Sequence, residues 1–440
     1  MSYNPAVQDA INIAWHHDAA QNSLQRWLDL SAQESWQVSD DELVLMTKLF
    51  GASWYFTRFC YFRGSEIIPF FKAENQDASI IENTLSGLIE YLPVAALEPE
   101  IEKLRIRKNE IMLSILLLQL GNVIDQEQAE VLLTKLADAV LTVMYRLFDL
   151  EELENTQCIV LAMGRFAGYE MNYGSDLDLI FIEKVMDPNN FEQIVLKIRK
   201  LLRYIAMMDP SGTLYEIDMR LRPHGSSGVL VTPLNSFLEF HKAEREIWER
   251  QMMTRCRVVV GSPELSSEVT REILDDIYGK YDISYLAKEI MKVRLLVEQE
   301  LAGGKDKIEI KRGKGGIMDI DFLTHFLQLA YGAEYEQLKS ASTRQVLRSA
   351  AEAGLLHKRT AVSLLKAYDF YKRSESALRV FDMKSISKVS ITTEAMLPLA
   401  RALGYLDDDP ELAVDNYLKE LRRLRSQVRE QFEHVLNEAY

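Results

Sequence analysis

Residues 157–182 read QCIVLAMGRFAGYEMNYGSDLDLIFI, and this stretch decides the fold. Two short apolar runs rich in β-branched residues, Gln157–Met163 and Asp176–Ile182, flank a glycine-containing turn. Runs of this length and composition predict two buried β-strands. Gly164 and Asp176 are separated by twelve positions, so the turn and the following acids share one site only if a short helix lies between them.

A pair of carboxylates opens the second predicted strand. Side chains alternate between the two faces of a strand, so Asp176 and Asp178 point the same way, about 7 Å apart along the backbone. Two like charges at the mouth of a buried strand repel each other and lose hydration. A hard divalent cation with oxygen ligands compensates for both effects. Asp-x-Asp alone is common in exposed loops, but its position at the start of an apolar strand favours a metal site.

Phosphate-binding candidates lie on either side of this pair. Gly164 allows the backbone to approach a ligand closely, and Arg165 has the length and charge to reach phosphate oxygens. Further along, Thr213–Arg222 is predicted to form a third strand. Its polar face carries alternating acids and arginines, namely Glu216, Asp218, Arg220 and Arg222. Such a row suits a metal–triphosphate site, although a solvent-exposed face with cross-strand ion pairs is the alternative for this strand taken alone.

Composition limits the class of protein. The 440 residues include 51 Lys and Arg against 66 Asp and Glu, a formal net charge of −15. This balance argues against a general nucleic-acid binder. Cys60, Cys158 and Cys256 are widely spaced, which favours reduced thiols over disulfides or zinc. The N-terminus lacks a signal-peptide pattern, and the most apolar run, Ile111–Leu120, is too short to span a bilayer. We therefore expect a cytoplasmic protein without membrane contact.

Periodicity along the chain predicts three regions. Residues 1–104 have the pattern of helices, residues 105–270 contain the strands with preceding helices, and residues 271–440 are again helical. Between the predicted strands, Phe191–Met208 is expected to form an amphipathic helix, and Val229–Thr232 a possible fourth strand. The expected fold class is α+β, with a small mixed sheet flanked by two all-helical regions.

The motifs resemble those of the polymerase-beta-type nucleotidyltransferases: a glycine turn, an Asp-x-Asp strand and a third acid on a neighbouring strand. They are more closely similar to the glutamine synthetase adenylyltransferase family. The similarity covers residues 163–322 in four segments: MGRFAGYEMNYGSDLDLIF, GTLYEIDMRLRPHGSSGVLVT, WERQMMTRCRVVVG and IKRGKGGIMDIDF. The helical flanks match in layout.

The resemblance implies a chemistry and a set of roles. Two magnesium ions would be held by Asp176, Asp178 and Asp218, one activating a tyrosine hydroxyl of glutamine synthetase and the other stabilising the leaving pyrophosphate of ATP. The implied nucleotide-binding residues are Gly164, Arg165, Ser175, Arg220 and Arg222. Many members have lysine where this chain has Arg165, and the planar guanidinium differs in geometry from a point-charge ammonium.

Several readings stay open. Bifunctional members carry two such units, one that adds AMP and one that removes it by phosphorolysis. This chain holds one unit and looks more like the adenylylating one. The alternatives are the adenylyl-removing reaction and a catalytically silent scaffold for glutamine synthetase or the signal protein PII. The Gly315–Gly316 pair and its lysines could bind an anion at the following helix. Asp319 and Asp321 lie two apart on that predicted helix, so they do not share a face and are poor joint metal ligands.

Overall fold

A computed structural model describes residues 3–90, 97–151, 156–185, 188–209, 212–243, 246–300 and 307–438. These residues form an α+β fold in which one small mixed sheet lies between two bodies of helices, as the sequence predicts. None of the helices in the described ranges is long and apolar enough to cross a membrane.

The main sheet has five strands and a second sheet has two. The strands are β1 (Thr156–Met163), β2 (Leu177–Val185), β3 (Ile217–Asp218), β4 (Val231–Pro233), β5 (Cys256–Gly261), β6 (Lys307–Glu309) and β7 (Lys388–Ser390). In the main sheet the order is β3-β2-β1-β5, and β4 also pairs with β2. The β1 strand runs antiparallel to both neighbours, whereas β3 and β4 run parallel to β2. Strands β6 and β7 form an antiparallel pair of their own.

Helices make up most of the remaining structure. They are α1 (Pro5–Asn12), α2 (His17–Glu34), α3 (Asp40–Ala52), α4 (Trp54–Arg63), α5 (Ala78–Glu90), α6 (Leu97–Leu120), α7 (Gln126–Leu147), α8 (Gly164–Ala167), α9 (Pro188–Ala206), α10 (Leu234–Lys242), α11 (Ile247–Met253), α12 (Pro263–Ile277), α13 (Ile283–Glu300), α14 (Ile317–Tyr331), α15 (Thr343–Glu352), α16 (Lys358–Val380), α17 (Thr393–Ala402) and α18 (Pro410–Glu438). Helix α6 spans the predicted division between residues 104 and 105, and the three-region division stays a prediction.

The sheet separates two hydrophobic cores. Because side chains alternate along a strand, Val160 and Phe181 pack with the N-terminal helices and α9. Their neighbours Ile159, Leu161 and Ile180 pack with helices from α10 onward. Each face of the sheet therefore supports a different set of helices, and burial on both faces explains why these strands are continuously apolar.

The predicted strands are confirmed at β1 and β2, and the short helix required between Gly164 and Asp176 is α8. The predicted third strand, Thr213–Arg222, is wrong in extent, because only Ile217 and Asp218 pair with β2. The Asp218 carboxylate accepts a hydrogen bond from the backbone N–H of Arg220 at 2.8 Å, and this local turn ends the strand. Strand β5 was not predicted, because its apolar run is only three valines long and lies between Arg257 and Gly261.

Gly174 tests how closely the C-terminal region packs on the β1–β2 connection. Its φ is +60°, and an added Cβ would lie 2.7 Å from the carbonyl carbon of Met383. We expect Gly174→Ala to lose about 1–2 kcal/mol of unfolding free energy from the left-handed backbone and about 1–3 kcal/mol more from the clash. The matched control is Gly354→Ala, where φ is +75° and nothing lies within 4 Å. Equal losses in urea unfolding of the two variants would contradict the close packing.

Candidate active site

The predicted acids lie together at the start of β2 and the end of β3. In the parallel pairing of these strands Asp178 is directly opposite Asp218, and Leu177 N–H donates to the Glu216 carbonyl at 2.9 Å. Asp176 immediately precedes β2. The chain reversal at α8 brings Gly164 to the same place, since a Cβ added there would lie 3.2 Å from Asp178 Oδ2. Gly164 also has φ +57°, so both its backbone and its neighbour favour glycine.

Negative charge is concentrated at Asp178. Burial, the largest cause, and the neighbouring carboxylates of Asp176 and Asp218 together raise the pKa of this carboxyl from 3.8 to about 7, against the opposing effect of Lys311 and Arg220. A buried carboxyl with two acidic neighbours is stabilised by a cation more than by hydrogen bonds alone. The electrostatics therefore suit a bound metal ion.

The Asp218 carboxylate differs from that of Asp178, because an arginine is already hydrogen-bonded to it. The Arg220 guanidinium donates through Nε to both Asp218 oxygens, at 3.0 and 2.8 Å, and also through Nη2. These hydrogen bonds are the main reason why the pKa of Asp218 is lowered. The Arg220 side chain is 77% exposed, so it is free on its outer side to meet a ligand.

A cavity of about 410 Å³ collects most of the predicted polar side chains, although the strand expected to align them ends at Asp218. Asp176, Asp218, Arg220 and Arg222 all line it. The Arg222 guanidinium is hydrogen-bonded to the backbone of its own loop: it donates to the carbonyls of Met219 at 2.8 Å and of Gly228 and Ser226 at 3.2 Å. Arg222 thus fixes the loop that carries Arg220.

Arg165 and Ser175, the other two predicted nucleotide contacts, are bound by C-terminal residues. The Arg165 guanidinium donates to Asp321 at 2.6 Å and to Glu170 at 3.1 Å. The Ser175 hydroxyl accepts from Arg379 Nη1 at 3.3 Å. Both positions flank the acids in sequence, and their roles in nucleotide binding stay predictions.

The residues present fit a divalent cation by chemistry. Asp176, Asp178 and Asp218 supply carboxylate oxygens, the donors that magnesium prefers, and the raised pKa of Asp178 marks uncompensated charge. Even so, nowhere in the described ranges do three or more His, Cys, Asp or Glu side chains already stand close enough together to hold a metal ion. Within the described ranges, the Asp218 carboxylate is paired with the Arg220 guanidinium.

The sequence did not predict the buried residues that support Arg165 beside the site. Glu170, Arg255 and Tyr368 are buried polar side chains that contact Arg165 or each other. Two of them lie inside quoted motifs, where a charged residue amid apolar or glycine-rich sequence was the available signal. Tyr368 lies on α16, outside the motifs, and nothing local marked it.

Comparison with known families agrees with this geometry. Residues 71–272, which include every predicted acid, match the family model for glutamate-ammonia ligase adenylyltransferase. Residues 290–436 match a second model, described as GlnD PII-uridylyltransferase. The resemblance inferred from the motifs is thereby confirmed.

Curated relatives carry the name bifunctional glutamine synthetase adenylyltransferase/adenylyl-removing enzyme. The protein from Chromobacterium violaceum is 32% identical over 260 residues, covering 58% of this chain and 29% of the relative. That from Idiomarina loihiensis is 29% identical over 350 residues, covering 73% of this chain and 37% of the relative. The chain therefore spans about a third of the length of the curated relatives that it matches.

The charge on Asp178 gives a pH-dependent expectation for the metal-free protein. Its carboxyl ionises near pH 4 when unfolded but near 7 when folded, so ionisation lowers the unfolding free energy as pH rises from 4 to 7. In EDTA, Asp178→Asn should therefore be more stable than the parent by about 2–4 kcal/mol at pH 8, the pKa difference converted to energy. At pH 4.5, where only the unfolded carboxyl has begun to ionise, the difference should fall to about 1 kcal/mol.

The matched control is Asp218→Asn, which removes a carboxylate that Arg220 already stabilises. This variant should show no comparable gain at pH 8. Thermal unfolding in EDTA at the two pH values measures both. A stability loss for Asp178→Asn at pH 8 would mean that its carboxylate is stabilised by the fold rather than strained by it.

Proposed function

We propose that this chain is a nucleotidyltransferase that transfers AMP from ATP to a tyrosine hydroxyl of glutamine synthetase. The observation that carries the proposal is the juxtaposition of Asp178 and Asp218 in adjacent strand positions beside the Gly164 turn, with Asp176 and two arginines on the adjoining cavity. The names of the curated relatives supply the reaction and its protein substrate.

Each group in the site has a part in this proposal. Asp176, Asp178 and Asp218 hold magnesium, which when bound activates the attacking hydroxyl and stabilises the leaving pyrophosphate. The tyrosine hydroxyl loses its proton to solvent as its oxygen forms a bond to the α-phosphorus of ATP, and the bond from that phosphorus to the bridging oxygen breaks, so that pyrophosphate leaves. Arg220, on the exposed side of the cavity, faces the triphosphate charge. Gly164 keeps the wall beside Asp178 free of a side chain.

The direction of the reaction is the finer part of the proposal. The TLYEIDMRLRP and SSGVLVT segments resemble the adenylylating unit, and on that basis we propose AMP addition. The same acids would serve phosphorolysis, in which inorganic phosphate attacks the AMP–tyrosine linkage and releases ADP. Relatives named for both activities keep this second reaction as the competing candidate.

Regulation by PII is a further part of the proposal. The match of residues 290–436 to a PII-uridylyltransferase model favours PII as a partner of the C-terminal helices. The raised pKa of Asp178 disfavours a catalytically silent scaffold for the same partners. Strongly shifted pKa values of this kind cluster at functional sites, and a scaffold has no use for three neighbouring carboxylates.

The direct test supplies glutamine synthetase, Mg²⁺ and α-labelled ATP, and in parallel adenylylated glutamine synthetase with phosphate. We expect label on the synthetase and pyrophosphate in the first reaction, and abolition of both by EDTA or by Asp178→Asn. ADP released only in the second reaction would replace the proposal with phosphorolysis. Partner binding without product in either would support the scaffold.

Arg220 provides a separate test of nucleotide contact. Removing one charge-assisted phosphate contact costs on the order of 1.5–3 kcal/mol, so Arg220→Ala should raise KM for ATP about tenfold to a hundredfold. Because Arg220 also binds Asp218, the control is Arg220→Lys, which keeps the charge and loses the fork. Unchanged kinetics in both variants would remove this side chain from the nucleotide site.

A further inference from the structure

Two buried aspartates on α14 point to different parts of the molecule. Asp319 binds Arg294 of α13 at 2.5 Å, and it also accepts from Arg429 of α18 and from Gly315 N–H. Asp321 instead contacts Arg165 on α8 and Arg255 immediately before β5. The expectation that the two carboxylates do not share a face is confirmed by these separate contacts.

Asp321 accepts hydrogen bonds from two arginines, one just after β1 and the other just before the neighbouring strand β5. Its Oδ2 accepts from Arg165 Nη2 at 2.6 Å, and its Oδ1 accepts from Arg255 Nη1 at 3.2 Å. Thr343 on α15 donates a third hydrogen bond to Oδ1 at 3.2 Å. The side chain is 13% exposed, so these contacts are largely shielded from water.

Both arginines are tied to Gly164. Arg165 follows it in the chain, and the backbone carbonyl of Arg255 accepts the Gly164 N–H at 2.9 Å. A Cβ at Gly164 would in turn lie 3.2 Å from Asp178 Oδ2. One carboxylate on the C-terminal helices thus grips the two residues that fix the position of the glycine turn against Asp178.

We propose that Asp321 is a positioning residue for the metal-binding acids, acting through Arg165, Arg255 and Gly164. This deepens the proposed function, on which it rests, by making α14 part of the catalytic unit. Asp321 binds Arg165, which follows Gly164 in the chain, and Arg255, whose carbonyl accepts the Gly164 N–H. These contacts limit how far the glycine turn can move towards or away from Asp178. Partners one layer behind metal ligands orient those ligands and tune metal affinity.

The competing view is that Asp321 only stabilises the fold. Asp319 is the matched control for that view, because it lies on the same helix, is buried and binds two arginines, Arg294 and Arg429, both from the C-terminal helices. Loss of either carboxylate leaves buried arginines unpaired and lowers stability. Only Asp321 should also change the metal site.

The experiment titrates Mn²⁺ into the full chain by calorimetry, without nucleotide, for the parent and for Asp321→Asn and Asp319→Asn. We expect Asp321→Asn to bind Mn²⁺ about 10–100-fold more weakly, the range usual for such partners, and Asp319→Asn to bind as the parent does. Urea unfolding should show that both variants are destabilised. In the transfer assay, Asp321→Asn should require more Mn²⁺ while its KM for glutamine synthetase stays unchanged.

Equal Mn²⁺ affinity in all three proteins would overturn the positioning role and leave the proposed function intact. A parent that binds no Mn²⁺ would overturn the proposed function itself. If Asp321→Asn does not fold, Asp321→Glu and Thr343→Ala decide the matter. Asp321→Glu keeps the charge and moves the carboxylate, whereas Thr343→Ala removes one hydrogen bond from it. Weakened Mn²⁺ binding in either supports the role, and parental affinity in both contradicts it.

Discussion

The buried carboxylate of Glu170 is the point on which the two halves of the molecule depend. Its side chain is 1% exposed and accepts from Arg165, Arg255 and the Tyr368 hydroxyl, the last at 2.7 Å. Burial alone would raise the pKa of Glu170, but the surrounding guanidinium groups outweigh it and hold the pKa far below the usual range. A buried charge of this kind is stable only when every partner is in place.

The partners of Glu170 come from separate parts of the chain. Arg165 lies on α8 and Arg255 immediately before β5. Tyr368 lies on α16, and the backbone N–H of Arg344 lies on α15. The network continues to the helix that precedes the first strand, since Arg344 Nη1 donates to Glu130 of α7 at 2.6 Å. Segments matched by two different family models are therefore joined by one buried ionic cluster around the β1–β2 connection.

Local pattern was enough to predict β1, β2 and the Asp176–Asp178 pair, but not the residues that support them. The apolar run of β2 and the spacing of Asp176 and Asp178 are visible in a single segment, and α8 follows from the geometry of returning the chain. Strand parity failed at Arg220, because the Asp218 carboxylate accepts a hydrogen bond from the Arg220 backbone N–H, two residues further on, and the chain turns there. Periodicity reports which face a residue takes, and it contains no information about a side-chain hydrogen bond that ends the strand.

The side-chain pairings that support the site could not be predicted from the sequence for a different reason. Asp321 and Arg165 are 156 residues apart, and Tyr368 is 198 residues from Glu170. Pairings of that range are set by how the helices pack on the sheet, so neither residue's neighbours in sequence predict its partner. The motif segments mark these residues as unusual, but only the fold shows which charges meet.

The central claim is that the β1–β2 connection and the C-terminal helices form one cooperative unit through Glu170. Hydrogen–deuterium exchange of the parent and of Glu170→Gln, with fragments covering residues 163–178 and 343–372, tests it most directly. We expect exchange to accelerate in both fragments together, because loss of the carboxylate weakens its hydrogen bonds to Arg165 in the first fragment and to the Tyr368 hydroxyl and the Arg344 backbone N–H in the second. Faster exchange confined to residues 163–178, with residues 343–372 unchanged, would contradict it.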